Sequence, residues 1–154
     1  MKPEIAKMWT DALRSGKYKQ GRYCLRKYMW GEPSYCCLGV LCELYCNNVA
    51  ERSPKMLSDP EMRKKLGDEL VESESIWVEG DYEGVTEYPP VCVLQWAGLE
   101  SFNPKIIKML DQQTAQEWNI PSWRIDAKLS DVNDTLMLNF NRIADLIDEL
   151  HEWM

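Results

Sequence analysis

The chain has 154 residues, 45% of them apolar and 28% charged, a size and balance that suit one globular domain spanning 1–154 and exclude a disordered chain. No run approaches the ~18 apolar residues of a membrane span, and the N-terminus lacks a basic-then-apolar leader, so the cytoplasm is the expected compartment. The net charge of −7 argues against membrane surfaces and extended nucleic acid as partners. It conceals an asymmetry, because residues 1 to 31 hold eight Lys or Arg against Glu4 and Asp11, a balance of +6 that leaves −13 for the remainder.

In chain order, Ile5, Met8, Trp9, Ala12 and Leu13 recur at helical spacing, which predicts a helix over Glu4–Arg14 that stops at Gly16. Arg22 to Trp30, rich in aromatics and followed by Gly31-Glu32-Pro33, predicts a short strand. The segment Tyr35–Cys46 packs four of six cysteines into twelve residues. Cys37, Leu38, Leu41, Cys42, Leu44 and Tyr45 share one broad helical face, and Gly39 permits close backbone approach, so a buried central helix is expected.

Asp59-Pro60 opens a third helix carrying Met62, Leu66 and Leu70, and Ser75–Val78 with Val85–Tyr88 flank an acidic hairpin loop. Val91–Ala97 predicts two helical turns before Gly98, and Pro104–Trp118 a longer helix. Asp131-Val-Asn-Asp134 is expected to be an Asx-bonded turn, since it lacks the glycine and glutamate of a calcium loop. Asn139 caps a final helix with the stripe Phe140, Ile143, Ala144, Ile147 and Leu150, leaving Arg142, Asp145, Asp148 and Glu149 outward. The fold class is α+β, with helices outnumbering strands, a small antiparallel sheet or hairpin and a buried cysteine-rich helix.

The inventory of reactive groups is thin. His151 is the only histidine, which disfavours hydrolase triads and histidine-rich metal centres. Adjacent Cys36 and Cys37 lack the spacing of zinc knuckles, so no metal and no cofactor are expected, and a reducing cytoplasm makes the thiols free. Cys24, beside Arg22, Arg26 and Lys27, is the best candidate for a reactive thiol. No phosphate loop or dinucleotide fingerprint is present.

The positive signal is the cationic, aromatic segment. Arg14, Lys17, Lys19, Arg22 and Arg26 offer charge to an anion, while Tyr18, Tyr23 and Trp30 offer rings on which a base stacks. A small anionic ligand needs only a local pocket and is not excluded by the global charge. The bland alternative is a solvated loop balancing the acidic remainder.

Trp9-x-x-Ala12-Leu-Arg-Ser-Gly-Lys-Tyr-Lys-Gln20, Tyr35-Cys-Cys-Leu-Gly-Val-Leu-Cys42-Glu-Leu-Tyr, Val132-Asn-Asp134 and Phe140-x-x-Ile-Ala-Asp145 resemble a family of small, mostly uncharacterised bacteriophage and prophage proteins. The resemblance covers both ends better than the middle, where residues 100 to 128 look like an elaboration. It transfers no catalytic residues and implies an accessory role in the host cytoplasm, such as inhibition of a host or defence protein or capture of a signalling nucleotide. Three readings follow. The first is a non-enzymatic anti-defence protein sequestering a nucleotide-type ligand. The second is a protein inhibitor with an acidic surface around Glu69–Glu87. The third is a nucleotide-processing enzyme. A homo-oligomer is compatible with each.

Overall fold

The structure is a computed structural model that describes residues 1–29, 32–49, 88–89, 91–101, 103–105, 116–117 and 127–154. Helix α1 (Pro3–Arg14) begins with proline at its first turn, where a missing N–H costs nothing, and buries Ile5, Ala6, Trp9 and Leu13 along one face. Gly16, at φ +70°, ends it as expected. Short strands follow: β1 (Lys19–Gln20), β2 (Arg26–Met29) and β3 (Glu32–Tyr35). They form a mixed sheet with β3 in the centre, parallel to β1 and antiparallel to β2, with Arg26 opposite Tyr35 and Met29 opposite Glu32.

The expected strand over Arg22–Trp30 thus contracts to β2, with Trp30 outside the described residues. Glu32-Pro33, which follows the expected strand in sequence, belongs to β3. Pro33 is tolerated there because β1 pairs only with Ser34 and Tyr35, so Pro33 faces a single neighbour and no ladder donor is lost.

Helix α2 (Cys37–Asn48) is the buried centre. Its first nine residues except Glu43 are all buried, so its apolar character runs around most of the circumference, while Asn47 and Asn48 at its end are exposed. It starts two residues later than Tyr35, because Tyr35 ends β3 and the Cys36 sulfur caps the helix by accepting from the Gly39 N–H at 3.4 Å. The expectation for Gly39 holds: a Cβ there would collide with the Leu25 carbonyl oxygen, so glycine lets the chain before β2 cross the helix in contact. The Trp9 indole N–H donates to the Cys37 carbonyl at 2.9 Å, fixing α1 on α2.

Helix α3 (Val91–Ala97) occupies the predicted span and sets Trp96 edge-on to Tyr45, with centroids 5.6 Å apart. Helix α4 (Leu129–Asp134) replaces the expected Asx turn. The Asp131 carboxylate accepts the Lys128 N–H at 2.9 Å and so works as a helix-start contact. Helix α5 (Phe140–Leu150) is capped by Asn139, whose Oδ1 accepts the Arg142 N–H at 3.0 Å, and packs along α1. A 3-10 turn, His151–Trp153, follows. Of the helix expected over Pro104–Trp118, the start is not helical, since Lys105 makes an antiparallel bridge with Lys128, whereas residues 116–117 are helical and the rest lies outside the described residues. The expected helix at Asp59–Leu70 and the hairpin at Ser75–Tyr88 lie outside the described residues except for Tyr88, which forms a bend and not a strand. Among those described, five α-helices and a three-stranded mixed sheet make a compact α+β arrangement.

Candidate functional site

The first part of the site is built by the turn after β1. Gly21 donates its N–H to the Tyr35 carbonyl, and a Cβ at Gly21 would sit 2.9 Å from the Ser34 hydroxyl, so the turn lies flat against β3. Asn133 of α4, fully buried, ties this turn down. Its Nδ2 donates to the Gly21 carbonyl at 3.0 Å and to Asp134 Oδ1 at 2.6 Å, while its Oδ1 accepts from Gln20 Nε2 at 3.1 Å. Gln20 Nε2 also donates to the Leu138 carbonyl at 2.8 Å. Both amides are therefore hydrogen-bonded within the interior, as burial demands.

Asp134 extends this network to the surface. Its Oδ1 accepts the Tyr23 N–H at 3.0 Å, holding Tyr23 at φ +69°, a conformation that side-chain-bearing residues adopt at a cost. The Tyr23 side chain is 67% exposed. Beside it opens a cleft of about 220 Å³ lined by Tyr23, Cys24, Cys36, Tyr88, Ser130, Asp131, Asp134 and Thr135. Ser130 is fixed from behind: its N–H donates to Asn103 Oδ1 at 3.0 Å and its hydroxyl accepts from Asn103 Nδ2 at 2.6 Å.

The thiols in the cleft are not primed for attack. Burial raises the Cys24 pKa, and the opposing charge of Lys27 is the smaller effect. Burial also pushes the Cys36 thiol up to about 12, against the Gly39 hydrogen bond. Both remain protonated at neutral pH, which reverses the expectation that nearby cations activate Cys24. Among the described residues no group of three or more His, Cys, Asp or Glu side chains is arranged to hold a metal ion.

Of the eight residues singled out for ligand binding, seven are among the described residues, and of these Tyr23 alone lines the cleft. Arg14 bridges α1 to α5, pairing with Asp145 and Asp148 at 2.7 Å each. Lys19 pairs with Glu32 at 3.3 Å, and Arg26 with Glu43 at 3.1 Å. Arg26 also lies 5.5 Å from the Tyr35 ring centre, and Tyr35 meets the half-buried Tyr18 edge-on at 5.4 Å. Lys17 sits over Tyr18 at 5.5 Å. Lys17 and Arg22, with Lys27, make no ion pair among the described residues. Trp30 lies outside them. Sequence reasoning missed Asp131, Asp134, Ser130 and Tyr88 as lining residues. The available signal was Asp131-Val-Asn-Asp134, expected to be an Asx turn, whose last three residues also carry the family resemblance.

A family model described as a domain of unknown function, DUF8296, matches residues 1–151. The chain belongs to that family. No curated protein and no solved structure matches it. The DUF8296 match spans the middle as well as the ends, so it takes in both halves of the cleft, Tyr23–Cys36 and Ser130–Thr135. Among the described residues no helix is long and apolar enough to cross a membrane.

Proposed function

We propose that this protein works by binding and not by turnover, as a bacteriophage accessory protein in the host cytoplasm that docks the Tyr23 cleft on a host or defence protein and blocks it. The observation carrying this reading is the cleft's lining, which holds two exposed tyrosines and two carboxylates and, among the described residues, no cation. Exposed aromatics beside fixed charge suit a protein contact, and the negative lining selects a basic partner surface. Among the described lining residues the two thiols are protonated at neutral pH and no histidine stands by to activate them. The phage origin rests on the sequence resemblance.

A pull-down from host lysate with the wild-type chain, repeated with Tyr23→Ala and Asp134→Asn, tests this reading. One protein retained by the wild type and released by both variants is the expected result. Equal retention by all three overturns it. A second reading, sequestration of a nucleotide-type ligand, is favoured by Lys17, Arg22 and Lys27, which form no ion pair among the described residues. Native mass spectrometry of protein purified from cells separates the two: a retained nucleotide of intact mass supports sequestration, and a converted one supports an enzyme.

A further inference from the structure

We infer that the cleft is a receptor for a single arginine side chain presented by the partner, an inference that rests on the docking reading above. Size is the first argument. At about 220 Å³ the cleft falls below the roughly 300 Å³ at which small-molecule pockets begin and holds the volume of about seven waters. A nucleotide would project mostly into solvent. One long side chain fills the space.

The walls supply the second argument. Tyr23, Tyr88 and Met137 are the exposed large apolar side chains among the described residues, and two of these three border the cleft. Tyrosine faces attract cations and stack on planar guanidinium groups, which a compact ammonium cannot imitate. The protonated thiols of Cys24 and Cys36 behave as small apolar groups in the same lining.

The carboxylates supply the third. Each is oriented through one oxygen: Asp131 Oδ2 accepts the Lys128 N–H, and Asp134 Oδ1 accepts from Tyr23 and Asn133. Asp131 Oδ1 and Asp134 Oδ2 accept no hydrogen bond from the described residues. Two oriented acceptors beside aromatic walls match the forked donors of arginine, and a phosphate would meet repulsion from both.

The test is an NMR titration of the isotopically labelled full chain with blocked Gly-Arg-Gly peptide, its lysine and citrulline counterparts, and AMP. The arginine peptide is expected to shift the Tyr23 and Asp134 amides and saturate in the millimolar range. Citrulline, isosteric but uncharged, is expected to bind about tenfold more weakly, and lysine about threefold more weakly. The double variant Asp131→Asn, Asp134→Asn keeps an oxygen for the Lys128 and Tyr23 amides, and an unchanged thermal midpoint verifies its fold. It is expected to lose about tenfold in arginine affinity. Equal binding of citrulline, no saturable shift at Tyr23, or tighter binding of AMP at the same amides overturns the inference. If a partner is still captured through Tyr23 while the arginine peptide fails, docking stands and arginine falls. If the peptide binds but no partner depends on Tyr23, the receptor stands and docking falls.

Discussion

Asn133 and Tyr23 occupy opposite ends of one hydrogen-bond network and carry opposite duties. Asn133 is buried and saturated, so Asn133→Ala leaves the Gly21 carbonyl and one Gln20 donor without a buried partner. A loss of about 3 kcal/mol is expected, read from the shift in urea midpoint at constant slope. Tyr23 is exposed and held in the left-handed region, so its side chain contributes little to the core. Tyr23→Gly relieves a backbone cost of about 1 kcal/mol and adds unfolded-state entropy of similar size, so stability changes by less than about 1 kcal/mol. Partner capture, measured in the same preparation, is expected to disappear. A residue that can be removed without thermal cost but not without loss of binding is a contact residue.

At the scale of elements, α2 determines what surrounds it. Its one half-buried acid, Glu43, faces Arg26 across to β2. Burial raises the Glu43 pKa above its ordinary 4.5, with Arg26 and Lys17 pulling the other way. The folded protein therefore holds the proton more tightly than the unfolded chain. The Glu43 contribution is full below the unfolded value and is lost as pH rises through the folded one. Glu43→Gln should accordingly be more favourable relative to wild type at pH 7 than at pH 4, as thermal midpoints across that range would record; the opposite trend would show that Arg26 outweighs burial. The helices were legible from residues whose periodicity and caps are local: Trp9 and Leu13 in α1, Asn139 and Ile143 in α5, Gly39 in α2. Strand β3 was not, because Pro33 reads as a breaker until the limited extent of β1 is known. The cleft was not legible either. Its carboxylates belong to α4, and nothing near Tyr23 in sequence announces that Asp134 will hold its backbone. The cations that drew attention were conspicuous by composition, yet Arg14, Lys19 and Arg26 meet carboxylates on other elements.

For the whole molecule, the net charge and the two cleft carboxylates share a sign, which the cationic segment carrying Tyr23 opposes locally. The basic partner proposed above would be attracted at long range by a chain of −7, and salt screens such attraction over about 8 Å at physiological strength. Raising sodium chloride from 50 to 500 mM should slow association with the captured partner by tenfold or more while changing dissociation less, as surface plasmon resonance would resolve. A rate indifferent to salt would mean that the tyrosines alone drive the contact. The bonds that shape the cleft also span most of the chain: Asn133 reaches Gly21 across 112 positions and Asp134 reaches Tyr23 across 111. At bacterial translation speeds of about 5–20 residues per second, the turn at Tyr23 emerges from the ribosome roughly ten seconds before the residues that fix it. A growing chain thus exposes its tyrosine without the socket beside it. On the docking reading proposed above, a partner would meet a competent surface only after α4 has been made, so a nascent chain would not be held by it.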